Sequence, residues 1–120
     1  MFTISPNGII TVTRGDSFSI DVFVNVGTVL DPVQYVLEGN DKLYFALCEP
    51  NQPFECAIMR KEFDSSNKTE DDKIRMVFDS EMTECLMPGM YYYTVKLATG
   101  PDDGREVSTI ISKTKFYVID

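Results

Sequence analysis

Apolar and polar residues alternate with a period close to two along most of this chain, and no segment carries the stripe of an amphipathic helix. A β-strand turns successive side chains to opposite faces, so the pattern predicts strands that are buried on one side and wet on the other. The clearest run has Phe18, Ile20, Val22, Val24 and Val26 alternating with Ser17, Ser19, Asp21 and Asn25, with Phe23 as the exception on the polar side. Before it, Ile9 to Val12 predicts a short first strand, entered through the Pro6-Asn7-Gly8 turn and left through Arg14-Gly15-Asp16. Gly27 to Asn40 reads as an irregular connection. Lys42 to Cys48 is the third strand, with Leu43, Phe45 and Leu47 inward, and the two prolines of Glu49-Pro50-Asn51-Gln52-Pro53 then force a turn because neither can donate to a ladder. Cys56 to Phe63 alternates weakly, which suggests an edge strand guarded by Arg60, Lys61 and Glu62. Asp64 to Asp72 is a polar loop, and Lys73 to Asp79 is a fifth strand with Ile74, Met76 and Phe78 inward. Ser80 to Leu86 is too short and mixed for a strand and predicts one turn of helix capped by Ser80. Met90 to Thr99, a tight loop at Gly100 to Gly104, and Arg105 to Ile119 complete the chain.

About seven short strands separated by turn signals predict an all-β fold, specifically an immunoglobulin-like two-sheet antiparallel sandwich, forming a single domain over residues 1–120. Such sandwiches often place a tyrosine at the start of the sixth strand, just after a turn, with its hydroxyl bonded to backbone a few residues upstream. Leu86-x-Pro88-Gly89-x-Tyr91-x-Tyr93 has that form, with Tyr91 in the corner. Period two sorts the run Tyr91-Tyr92-Tyr93: the outer pair shares a phase with Val95 and Leu97, whereas Tyr92 goes with Thr94 and Lys96 and faces out.

Composition narrows the function classes. A hydrophobic fraction of 43% excludes disorder, and the absence of a long apolar run excludes a helical membrane span. Nineteen acidic residues against eleven basic ones give a net charge of −8, which repels a phosphate backbone and anionic membrane surfaces, so neither nucleic acid nor membrane is expected as a partner. The opening MFTISPNGII carries neither a basic leader nor an apolar core, from which folding in a cytoplasm without a signal peptide is expected. Cys48, Cys56 and Cys85 form no CxxC pair and have no histidine beside them, and are read as reduced thiols, with a Cys48 to Cys56 cross-link conceivable if the two flank a hairpin.

Without histidine the common nucleophile and base pairings are missing, which leaves carboxylates as the acid-base candidates. Glu70-Asp71-Asp72 and Asp102-Asp103 are read as solvated turns; calcium held between them is the competing possibility, against which stands the adjacent rather than alternating spacing. No phosphate-binding glycine loop is present, no catalytic or metal residue is assigned, and no cofactor is expected.

What remains is surface. In an immunoglobulin-like sandwich the third, sixth and seventh strands share a sheet, which would bring Tyr44, Tyr92 and Tyr117 to one outer face as a candidate binding patch. The alternative is three scattered tyrosines covered by lysines such as Lys42 and Lys96. The phase of the last strand is open: continuous alternation buries Ile110 and exposes Val107 and Ile111, whereas a bulge near Ser112 to Thr114 reverses that half.

The order of RGDSFSIDVFVN, GNDKLYFALCEPNQP, IMRKEF, DSEMTECLMPGMYYYTVKLAT and TIISKTKFYVID resembles small structural proteins of phages and prophages of Gram-positive bacteria, and in particular the N-terminal immunoglobulin-like domain of phage baseplate upper proteins. The resemblance covers nearly the whole chain. It implies a non-enzymatic interaction module, a structural or accessory component of a phage or prophage tail or baseplate, whose partners are other virion subunits and which is monomeric or weakly dimeric alone. A carbohydrate-binding or adhesive cell-surface module is the alternative; it would use exposed aromatics, and the lack of any tryptophan weakens it.

Overall fold

Strand alternation becomes a ladder wherever two such segments can pair in register, and a computed structural model of the chain, describing residues 1–27, 30–54, 57–100 and 106–120, shows which pairings form. Among the described residues there are ten strands: β1 (Phe2–Ile4), β2 (Ile10–Thr13), β3 (Phe18–Val22), β4 (Asn25–Gly27), β5 (Pro32–Gln34), β6 (Lys42–Cys48), β7 (Met59–Phe63), β8 (Ile74–Phe78), β9 (Gly89–Thr99) and β10 (Glu106–Ile119). One short helix, α1 (Ser80–Glu84), precedes β9, and Ser65–Asn67 forms a 3-10 turn. The fold is all-β. The expected loop at Pro101 to Gly104, the Cys56 thiol, and the strand starts placed at Cys56 and Arg105 lie outside the described residues.

Six strands form one sheet in the order β1-β2-β10-β9-β6-β7; β3 pairs with β8, and β4 with β5. The sheet is mixed rather than purely antiparallel, because β10 lies parallel to β2 with Phe116 opposite Ile10 and Val118 opposite Val12. The chain leaves β2 for β3 instead of doubling back into a hairpin, so the place beside β2 is filled by β10 from the far end of the chain. β1 escaped the sequence reading because three residues are too few to show a period; it is tied to β2 through the turn in which Gly8 N–H donates to the Ser5 carbonyl at 2.9 Å. The connection after Val26 is not wholly irregular either, since Val26 pairs with Val33 in the β4–β5 hairpin.

Aromatic rings join the β3–β8 pair to the inner face of the large sheet. Phe78 stacks on Phe18 at 4.6 Å between centroids and meets Phe45 and Phe63 edge-on at 4.7 and 5.9 Å. Phe45 in turn stacks on Tyr93 at 5.5 Å, and Phe116 closes the cluster at 6.3 Å from Tyr93. Such offset and edge-on contacts add to the area these rings bury. Ile10, Val12, Leu43, Leu47, Ile74, Met76 and Val95 fill the space around them.

The two inward tyrosines of β9 are also polar staples. Tyr91 donates its hydroxyl to the Met87 carbonyl at 2.6 Å, the corner expected from the sequence. Tyr91→Phe should therefore lower the unfolding free energy by about 1 kcal/mol. An unchanged urea midpoint would show that the bond contributes nothing.

Helix α1 is capped by Asp79 rather than Ser80: Asp79 has extended backbone and accepts the Met82 N–H at 3.0 Å, while Ser80 is already in the helix. The helix is clamped to the β2–β3 turn by buried Thr83, whose hydroxyl donates to the Asp16 carbonyl at 2.8 Å and accepts the Gly15 N–H at 3.0 Å.

A second polar latch closes the segment after β5. Tyr35 donates to the Asp41 carboxylate at 2.6 Å, and the same oxygen accepts the Glu38 N–H at 3.0 Å. The bond to Asp41, and then burial, push the Tyr35 phenol from 10.0 up to about 12. Folding thus holds a proton that the unfolded chain releases near pH 10, so the latch contributes fully below that pH and its contribution is lost as pH rises from 10 towards 12. Urea melts at pH 9 and 11 should show a smaller alkaline loss in Tyr35→Phe than in the parent; equal losses would remove Tyr35 as the cause.

The last strand resolves the open phase. Its pairing with β9 slips once between Thr109 and Ile111 and again between Ile111 and Thr114. Each slip is one residue in the same direction, and together they restore the phase, so Val107 returns to the outer side at 60% exposure, while Ile111, between them, stands opposite buried Val95 and packs against the core.

The outer face of the large sheet as candidate functional site

Opposite the aromatic core, the large sheet carries no further sheet among the described residues. Its outer side chains can be read off the ladders. Across β7, β6, β9 and β10 one row runs Glu62, Tyr44, Lys96, Thr109; the next brings Arg60 opposite Ala46 and Ala46 opposite Thr94; a third runs Cys48, Tyr92, Lys115. Tyr117, opposite Met90 and Thr11, lies beyond them.

All three tyrosines singled out from the sequence are on this face, and all are half-buried. They do not form one cluster. Tyr92 faces Cys48, four residues along β6 from Tyr44 and thus about 13 Å away along the strand. Tyr117 is a diagonal neighbour of Tyr92, at a spacing of roughly 7–8 Å. The ring of Tyr92 is covered by the Lys113 ammonium at 4.9 Å from its centroid.

The residue that sequence reasoning missed is Phe54. It sits in the segment after β6, where two prolines suppress any strand pattern, so periodicity gave it no face. The chain folds this segment back over the sheet: Arg60 donates to the Phe54 carbonyl at 3.0 Å, and Arg60 and Lys96 approach the Phe54 ring at 5.0 and 4.3 Å. Because those cations come from β7 and β9, the ring lies across β6, where Ala46 is fully buried although it points outward. A small side chain at 46 makes room for the ring. An aromatic residue immediately after a proline turn, facing an alanine in the adjoining strand, was the only available sign.

Tyr44, Phe54, Arg60, Glu62, Lys96 and Val107 line a groove of about 570 Å³ open to solvent. Its lining joins apolar surface from Tyr44, Phe54 and Val107 to two cations, Arg60 and Lys96, and one carboxylate, Glu62. Lys42, at the end of β6, is the outer-face cation bound to a carboxylate, 3.5 Å from Asp64. Asp64 is held below the usual carboxylate range by the Ser66 hydroxyl and N–H and by Lys42.

The edge position of β7 in the sheet agrees with its weak alternation. Its three charged residues divide by phase, however. Arg60 and Glu62 face out, whereas Lys61 reaches inward over Phe63 and Phe78 and donates to the Val77 carbonyl of β8 at 2.6 Å. Lys61 therefore ties β7 to β8 instead of guarding the edge.

Glu70, Asp71 and Asp72 are exposed in the loop before β8, while Asp102 and Asp103 lie outside the described residues. Among the described residues no three acidic, cysteine or histidine side chains converge on a common point. Cys48 is buried with its sulfur 3.6 Å from the Pro53 carbonyl, and Cys85 is an exposed free thiol. The chain matches no protein-family model, no curated protein and no solved structure.

Proposed function

We propose that the chain is an immunoglobulin-like β-sandwich domain that acts without catalysis, as a protein-interaction module in a phage or prophage particle. The fold part of this reading is supported by the strand order β2-β10-β9-β6-β7 facing β3-β8, and by the tyrosine corner at Tyr91. The observation that carries the interaction part is the groove on the outer face, where Tyr44, Phe54 and Val107 offer apolar surface beside Arg60, Glu62 and Lys96. Aromatic and arginine side chains are the residue types that concentrate binding energy in protein interfaces. The particle context rests on the resemblance of the sequence to baseplate upper proteins.

A glycan-binding module is less well supported by the same face. Sugar recognition stacks the pyranose on an uncovered ring, and here Phe54 is approached by two cations and Tyr92 by a third. Mass spectrometry of particles purified after prophage induction tests the proposal: the chain should be present in stoichiometric amount. Its absence from intact particles, together with binding on a glycan array, would replace this reading with the glycan-binding one.

A further inference from the structure

The net charge of −8 conceals a segregation that only the strand register exposes. Five of the eleven Lys and Arg residues lie on the outer face of the large sheet: Lys42, Arg60, Lys96, Lys113 and Lys115. The strand residues of this face that accompany them include one carboxylate, Glu62. Elsewhere among the described residues five cations accompany fifteen carboxylates, of which Asp64 reaches Lys42. Lys42 is bound to Asp64, but Arg60, Lys96, Lys113 and Lys115 have no carboxylate partner among the described residues. Three of these four are instead drawn against aromatic rings, Arg60 and Lys96 on Phe54 and Lys113 on Tyr92.

We propose that this cationic, aromatic face binds a short acidic segment of a partner protein, with Arg60 and Lys96 pairing its carboxylates across the Phe54 groove. The inference rests on the interaction-module reading and names the chemistry of the partner. Charge complementarity selects an anion, since unpaired cations gathered on an otherwise acidic molecule repel one another and gain from a carboxylate between them. Phe54 and Tyr44 supply the apolar contact that excludes water from those pairs and strengthens them.

The size of the cationic zone selects a short peptide over a nucleic acid. From Arg60 on β7 to Lys115 on β10 is three strand spacings across and two residues along the strands, about 16 Å in all. An extended peptide crosses that distance in about five residues. A single-stranded nucleic acid occupying sites of roughly 4–16 nucleotides would run off the face onto the acidic remainder, well inside the screening distance of about 8 Å.

The test is fluorescence anisotropy with a labelled pentapeptide of four glutamates and one tyrosine, against a neutral glutamine peptide of equal length. The acidic peptide should bind the parent chain about tenfold or more tightly than the neutral one and weaken with added salt. Arg60→Glu with Lys96→Glu should abolish binding, and the gentler Arg60→Gln with Lys96→Gln should weaken it about tenfold while the circular dichroism spectrum stays that of the folded parent. Lys68→Glu, in the loop before β8, should leave it intact. Equal binding of the two peptides, or binding indifferent to the paired substitutions, overturns the inference. So does tighter binding of an oligothymidine or a sulfated oligosaccharide to the same residues, or self-association of the parent chain that these substitutions abolish while the acidic peptide stays unbound. Presence in particles is measured separately: a chain absent from particles that still binds the peptide sinks the phage reading alone, and a chain present in particles that fails to bind it sinks this inference alone.

Discussion

Phe78→Ala should lower the unfolding free energy by about 3–5 kcal/mol, the largest loss expected from any single substitution in the core. Phe78 is 1% exposed and touches rings from three other strands, Phe18 on β3, Phe45 on β6 and Phe63 on β7. It is thus a main ring holding the β3–β8 pair to the large sheet, beside Phe18, which stacks on Phe2 of β1 at 4.9 Å. Truncation removes its own transfer free energy and leaves a cavity among aromatic neighbours that are too rigid to collapse into it. Phe78→Leu, which refills most of the space, should recover more than half of the loss. Chemical denaturation of the three proteins decides the matter, and a loss below about 1.5 kcal/mol for the alanine variant would mean that the layers are held together elsewhere.

The second large effect is expected at Tyr93 and Gly8. Tyr93, 2% exposed, donates its hydroxyl to the Gly8 carbonyl at 2.5 Å, which fastens the β1–β2 turn to a strand 85 residues away. Tyr93→Phe strands that carbonyl and should cost about 1–3 kcal/mol. Gly8 has φ of +85°, a conformation costly for any residue with a side chain, and a Cβ there would come within 3.2 Å of the same hydroxyl. Gly8→Ala should therefore cost more than about 1 kcal/mol. Since the hydroxyl is the atom the new methyl meets, the double variant should be less destabilised than the sum of the two. Strict additivity would show that backbone strain alone penalises the alanine.

Much of the inner face was legible from alternation. Leu43, Phe45 and Leu47 on β6, Ile74, Met76 and Phe78 on β8, and Tyr91, Tyr93, Val95 and Leu97 on β9 all point inward and are all buried, because the side-chain period of a strand is set by local backbone geometry. The same rule put Tyr44, Tyr92 and Tyr117 on the outer side. It failed where a strand was too short to show a period, as in β1 and β5, and where the ladder slips, as at Ile110 to Thr114.

The chain's own order of residues therefore determined the all-β class, the inward set, the corner at Tyr91 and the turns that separate the strands. Each of these depends on neighbours a few positions apart. Tertiary structure alone decided that β10 would lie parallel to β2, that Tyr44 and Tyr92 would stand two same-face positions apart, that Phe54 would fold across β6, and that four cations with no carboxylate partner among the described residues would gather on one face of an acidic protein. Those outcomes depend on which strands meet and in what register, and a period of two carries no information about register, since shifting a partner by two residues leaves every face unchanged.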